Sequence, residues 1–187
     1  MNILILASGG IDSTALIPYY KKLDYNIELL WIDYSQKSSK LEEVAIDKIS
    51  TFFKLNLIKA KISELKPILN KFEYQGRNLF LISTALLFFP FASGLIAIGI
   101  RENYDYKDCS PNFITGIKNM VINQTGGIID VDFPLFSINK AETIKILLND
   151  GFPIELCYSC DQGTSPVCNH CPSCMEVNGA LKELHIN

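Results

Sequence analysis

Aliphatic runs of strand length alternate with segments of helical spacing along this chain, and that alternation restricts the fold more than any other feature. Asn2 to Ala7, Ile27 to Ile32, Leu55 to Ala60 and Leu95 to Ile100 are nearly continuous apolar runs, the pattern of strands covered on both faces. Between them, Thr14 to Leu23 has helical character, and Lys40 to Phe53 places Leu41, Val44, Ala45, Ile49 and Phe52 near helical spacing. A short further strand is expected at Ile128 to Val131, and an amphipathic helix at Lys140 to Asn149, ended by Asp150-Gly151. Strand, helix, strand in this rhythm predicts an α/β fold, a doubly wound, Rossmann-like parallel sheet with its sites at the carboxyl ends of the strands.

The uncharged stretch Leu79 to Ile100 is long enough to test as a membrane span. Pro90, Ser93 and Gly94 divide it into a helix-sized piece ending near Phe89 and the strand Leu95 to Ile100, so a core reading is preferred. With 48% hydrophobic residues in 187, one domain can bury a substantial core. The 20 acidic and 17 basic residues are scattered without runs, which excludes the electrostatic footprint of a duplex nucleic-acid binder and favours a small-molecule or protein substrate. The N-terminus has no basic region and too short an apolar stretch for a signal peptide, so a cytoplasmic protein is expected.

Where the first strand should hand over to the first helix stands Ser8-Gly9-Gly10-Ile11-Asp12-Ser13-Thr14. Glycines let backbone N–H groups approach phosphate oxygens, Ser8, Ser13 and Thr14 supply hydroxyls, and the helix N-terminus adds its dipole. The string is neither a Walker loop nor a dinucleotide fingerprint. The bland reading is a tight strand-to-helix turn capped by Asp12 or Ser13.

Five of the six cysteines fall between Cys157 and Cys174. Cys168-x-x-Cys171-x-x-Cys174 has the spacing of tetrahedral thiolate ligands, and Cys157 or Cys160 can complete the set; the adopted set is Cys157, Cys168, Cys171 and Cys174. Four cysteines make a closed, structural zinc site and fit a reducing compartment better than disulfides do. His170, between two ligands, is read as exposed or beside the site. The expected organisation is one domain over 1–187, with 153–187 as its zinc-binding segment.

Ser-Gly-Gly-x-Asp-Ser resembles the signature of the N-type ATP pyrophosphatases, or PP-loop enzymes. Joined to Cys157-x₁₀-Cys168-x₂-Cys171-x₂-Cys174, to Asp33-Tyr34-Ser35-Gln36, Gly76-Arg77-Asn78, Asp108-Cys109, Pro134-Leu135 and Lys140-Ala141-Glu142, it resembles the 7-cyano-7-deazaguanine synthase (QueC) family over most of the chain. The resemblance implies an adenine nucleotide alpha hydrolase-like fold and a cytoplasmic, homodimeric ligase using ATP, Mg²⁺ and Zn²⁺. It would adenylate 7-carboxy-7-deazaguanine and, with ammonia, make the nitrile. ATP would be held by Ser8, Gly9, Gly10, Asp12, Ser13, Thr14 and Asp33, with Asp12 helping to hold Mg²⁺. Substrate would meet Gln36, Arg77, Asn78 and Asp108, and Asp12, Ser13, Arg77, Asp108 and Lys140 would form the catalytic set.

Each of these residues also has a plainer reading: a salt bridge for Arg77, loop bracing for Gln36 and Asn78, a turn for Asp108, a wet helix face for Lys140. Cys109 is either a nucleophile or a small buried thiol. The segment Ile62 to Gln75 is shorter than in the family, Lys37-Ser38 replaces a basic pair, and Val177 stands where an Arg is expected. Two other functions are therefore carried. One is a related ligase that passes a deazaguanine-type acid to a protein or other amine; the other is a zinc module that binds nucleotide without catalysis.

Overall fold

A computed structural model describes residues 1–63, 69–70, 73–102 and 106–186. The expected alternation is realised as β1 (Asn2–Leu6), α1 (Ile11–Lys22), β2 (Asn26–Asp33), α2 (Ser39–Phe53), β3 (Asn56–Lys61), the short strands β4 (Leu69–Asn70) and β5 (Glu73–Tyr74), α3 (Arg77–Leu87), β6 (Gly94–Ile98), α4 (Pro111–Thr125), β7 (Ile129–Asp132), α5 (Lys140–Asn149) and α6 (Pro172–Glu183). Five strands form one parallel sheet in the order β3-β2-β1-β6-β7, and β4 pairs with β5 in an antiparallel ribbon. Part of Ile62 to Gln75 lies outside the described residues.

Each central strand is buried on both faces, as its unbroken apolar run predicts. Ile3 and Ile5 of β1 join Leu29 and Trp31 of β2 under α1, α2 and α5, while Leu4 and Leu6 join Leu30, Ile96 and Ile98 under α3 and α4. Full burial of each such Leu or Ile stabilises the fold by about 1.5–3 kcal/mol, so the two cores dominate its energetics. The uncharged stretch divides where expected, into α3 and β6, and among the described residues no helix is long and apolar enough to cross a membrane.

The chain builds outward from β1 through β2 to β3, then returns to the other side of β1 for β6 and β7. The carboxyl ends of β1 and β6 thus flank the switch point, where an open parallel sheet forms its ligand crevice. Gly99 permits the close approach there: a Cβ at Gly99 would stand 3.0 Å from the Asp12 carbonyl carbon and 3.1 Å from the Asp12 Cβ. α4 goes beyond the sequence reading. Its start is nonetheless encoded, since Ser110 caps it by accepting from Phe113 N at 3.2 Å and Pro111 fills its first position.

Candidate functional site

The loop after β1 is shaped by its own short side chains. Ser13 Oγ accepts from Ser8 N at 3.1 Å and lies 3.1 Å from both Ser8 Oγ and the Gly10 carbonyl, which also accepts from Thr14 Oγ1 at 2.7 Å. Gly9 has φ +80°, and a Cβ there would lie 3.0 Å from Ala45 Cβ and 3.1 Å from the Glu42 carbonyl oxygen. A side chain at Gly9 would be both strained and crowded. Gly10 is the N-cap of α1 and offers no side-chain cap, so the helix presents backbone N–H groups to the cleft.

Residues far along the chain complete this loop. Tyr158 N donates to the Gly9 carbonyl at 2.9 Å, and Ser159 Oγ accepts from Ile11 N at 3.3 Å. Asp12 faces two cations: Lys140 Nζ donates to Oδ2 at 2.6 Å, and Arg101 Nε stands 3.4 Å from Oδ1. Glu176 contacts both cations, Lys140 at 3.3 Å and Arg101 more closely. Lys140 is 7% exposed and opens α5, an unfavourable end for a positive charge. Its carboxylate partners offset that placement. Sequence reading found Asp12 and Lys140 but neither Arg101, Glu176 nor Ser159, because no local pattern links residues so far apart.

Arg77 and Asn78 open α3 on the opposite wall of the same cleft, where Tyr34, Tyr106 and Cys109 also lie. Arg77 Nε donates to Asn78 Oδ1 at 3.3 Å. Asp108 accepts from Asn78 N at 2.9 Å through Oδ2, and its carbonyl accepts from Asn78 Nδ2 at 3.2 Å. The Asp108 carboxylate therefore caps α3 and does not line the cleft, so the expected substrate-facing acid is placed instead as a brace for Asn78. Cys109 lines the cleft, and burial followed by the neighbouring Asp108 charge pushes its thiol up to about 12. At neutral pH it is a protonated thiol and a poor nucleophile.

Gln36 and Asp33 are also placed differently from the expectation. Gln36 is 5% exposed; its Oε1 accepts from Tyr34 N at 2.8 Å, and its Nε2 donates to Glu42 Oε2 at 2.8 Å and to the Ile32 carbonyl at 3.2 Å. Asp33 Oδ1 accepts from Ser35 N at 2.9 Å. Both side chains hold the turn after β2, and neither lines the cleft, nor does Thr14, which is engaged with Gly10. Glu42 does line it, half-buried between Ser38 and Gln36, and loss of solvent raises its carboxyl above the usual range despite those donors.

The cysteine cluster corrects one ligand. Cys160, Cys168, Cys171 and Cys174 bring their sulfurs within 4.8 Å of one another, and a tetrahedron with metal–sulfur bonds of about 2.3 Å has edges of about 3.8 Å. Cys168 N donates to Cys160 Sγ at 3.5 Å, Cys171 N to Cys168 Sγ at 3.3 Å and Cys174 N to Cys171 Sγ at 3.5 Å, so backbone N–H groups fix the directions of three sulfurs. The donor set fits one structural zinc. Cys157 instead packs against the core under α1 and α5, with its thiol toward Thr14; Cys160, left open by spacing alone, takes its place. His170 is exposed, its Nδ1 2.7 Å from the Cys168 carbonyl, outside the sulfur cage as expected. Asp161 ties the loop to α6 by accepting from Ser173 Oγ at 2.8 Å.

The family model described as Queuosine biosynthesis protein QueC matches residues 2–75 and 68–185 of this chain. Among curated proteins, the 7-cyano-7-deazaguanine synthase of Archaeoglobus fulgidus is 27% identical over 212 residues, covering 97% of this chain and 86% of its own length. The synthase of Prochlorococcus marinus is 28% identical, covering 97% and 94%, and that of Campylobacter concisus 26% identical, covering 95% and 92%. A solved structure described as a predicted subunit of tRNA methyltransferase from Methanocaldococcus jannaschii aligns over 84% of this chain and 92% of its own with TM-score 0.49 and 18% identity, too remote to bear on activity.

Proposed function

The chain belongs to the QueC family, and from that premise we propose that it converts 7-carboxy-7-deazaguanine to 7-cyano-7-deazaguanine with ATP and ammonia, releasing AMP and pyrophosphate. One observation carries this reading: the anion-binding loop with Asp12 and Lys140, and the Arg77–Asn78 pair, open onto one cleft at the switch point of the sheet. A phosphate site and a site for a planar, carboxylate-bearing acid thus share one space.

ATP's phosphates lie against the N–H groups at the start of α1 and the hydroxyls of Ser8 and Ser13. Asp12 Oδ1, which faces Arg101 Nε at 3.4 Å but makes no hydrogen bond among the described residues, would suit a hard cation, and Mg²⁺ held there would supply charge neutralisation to the phosphates. Arg77 aligns the substrate carboxylate so that its oxygen attacks the α-phosphorus and pyrophosphate leaves. Ammonia then attacks the acyl carbon, AMP departs and the amide remains. The amide oxygen attacks the α-phosphorus of a second ATP and pyrophosphate leaves again; loss of two protons from nitrogen and departure of AMP then leave the nitrile. Lys140 and the loop donors act where negative charge gathers on phosphate in both halves, which is where fixed dipoles contribute most. The cysteine cluster, with four sulfurs and no open position, serves as a structural zinc site.

Purified protein incubated with Mg-ATP, 7-carboxy-7-deazaguanine and ammonia, followed by mass spectrometry, tests the reaction. The expected result is nitrile, with two AMP released for each nitrile formed. Turnover that stops at the adenylate or amide, or no AMP release with this acid, would overturn it.

A further inference from the structure

Two buried cations share one carboxylate at the phosphate loop, which leaves an excess positive charge unless another anion is near. Among the described residues, Glu176 is one such anion. It comes from α6, two residues beyond Cys174, and reaches Arg101 and Lys140 together, closing a ring in which Asp12 and Glu176 alternate with the two cations. Arg101 is 1% exposed, so its charge has little help from solvent.

We propose that Glu176 is a positioning residue that frees Asp12 for the divalent cation accompanying the nucleotide. The inference rests on the ATP-dependent reading above. Arg101 and Lys140 compete with Mg²⁺ for the same Asp12 oxygens, and a carboxylate gives up a buried cation readily only when that cation keeps a second acceptor. Glu176 is the second acceptor for both. Without its charge the cations draw Asp12 more strongly and the local potential becomes more positive, which opposes Mg²⁺ but not the bare polyphosphate. The cysteine-bearing segment then has a task beyond stability, because it carries the residue that tunes Asp12.

Trp31 is the only tryptophan of the chain and lines the same cleft, so its fluorescence reports nucleotide binding separately from turnover. Wild type, Glu176→Gln and Glu176→Asp are titrated with ATP in chelator, and then with Mg²⁺ at saturating ATP. Glu176→Gln is expected to need roughly tenfold more Mg²⁺ for half-saturation, as for loss of one close charge, with ATP affinity in chelator unchanged or higher. Glu176→Asp keeps the charge on a shorter arm and is expected to shift by about threefold, within the usual range for a weakened ion pair. A wild-type Mg²⁺ midpoint in both variants, or in Glu176→Asp if Glu176→Gln does not fold, overturns the proposal. Equal loss of ATP affinity with and without Mg²⁺ also overturns it, since that marks a merely structural role. Failure of wild type to bind ATP would instead reject the ATP reading itself.

Discussion

The two walls of the cleft are built by different means. The phosphate wall is made of backbone: Gly10 and the first turn of α1, held by hydroxyls a few residues away, with Gly9 shaping the loop where it packs against α2. The opposite wall is made of side chains, Arg77, Asn78 and Cys109, with Asp108 bracing Asn78; they come from two segments about thirty positions apart and bond to one another. The backbone cradle excludes a Cβ at Gly9, where φ is +80° and the space is filled, and depends on main-chain groups at its other positions. A side-chain wall tolerates changes of backbone but depends on every partner.

That contrast can be broken most severely from outside either wall. Replacing Cys160 by Ser, or stripping metal with a strong chelator, is expected to unfold 157–183 and with it the Tyr158 and Ser159 contacts to the loop. Nucleotide binding should then fall by about 100-fold or more, well within the ~10–16 kcal/mol of folding free energy that a structural zinc can supply, whereas Cys157→Ser should retain both metal and binding. Metal content and ATP titration of the two variants check this together.

Next in size is Gly9→Ala, which sets a Cβ at φ +80° against Ala45. It should cost about 1–3 kcal/mol in thermal or denaturant unfolding and weaken ATP binding while the KM for the acid stays constant. On the other wall, Arg77→Ala should raise the KM for the acid by about 10–100-fold, the range for a lost charge-assisted contact, and leave ATP affinity in place. If both variants affected both substrates alike, the division between the walls would fail.

Smallest is Cys109→Ala, expected to keep turnover within about threefold, an ordinary packing effect. The Cys109 thiol, held up to about 12 by burial and Asp108, should react with iodoacetamide at pH 8 about a thousandfold more slowly than an ordinary thiol near 8.5. Because the folded value lies above the unfolded one, the neutral thiol stabilises the fold below pH 9 and that contribution is lost as pH rises toward about 12. Alkaline denaturation curves should therefore be flatter for Cys109→Ala over that window.

What could be read from the sequence follows the same division. The two-faced strands, the anion loop and the triplet Cys168, Cys171 and Cys174 are local patterns, and local patterns survive without knowledge of the fold. Which of Cys157 and Cys160 joins the triplet depends on how a loop turns, so spacing left it open. The family resemblance assigns Asp33, Gln36 and Asp108 to ligands, yet polar side chains near a site also serve to hold its turns, the plainer reading open for Gln36 and Asp108 from the start. Arg101 and Glu176 stand 75 positions apart, and their pairing is produced only when α6, packed on α5, brings Glu176 to the loop that follows β6.

The bond between Ser159 and Ile11 spans 148 positions. During synthesis at about 5–20 residues per second, a nascent chain carries the entire anion-binding motif for roughly 7–30 seconds before the residues that brace it have been added. Competence is thus acquired late, and a polypeptide that stalls before Tyr158 is an inert precursor rather than an enzyme with part of its rate.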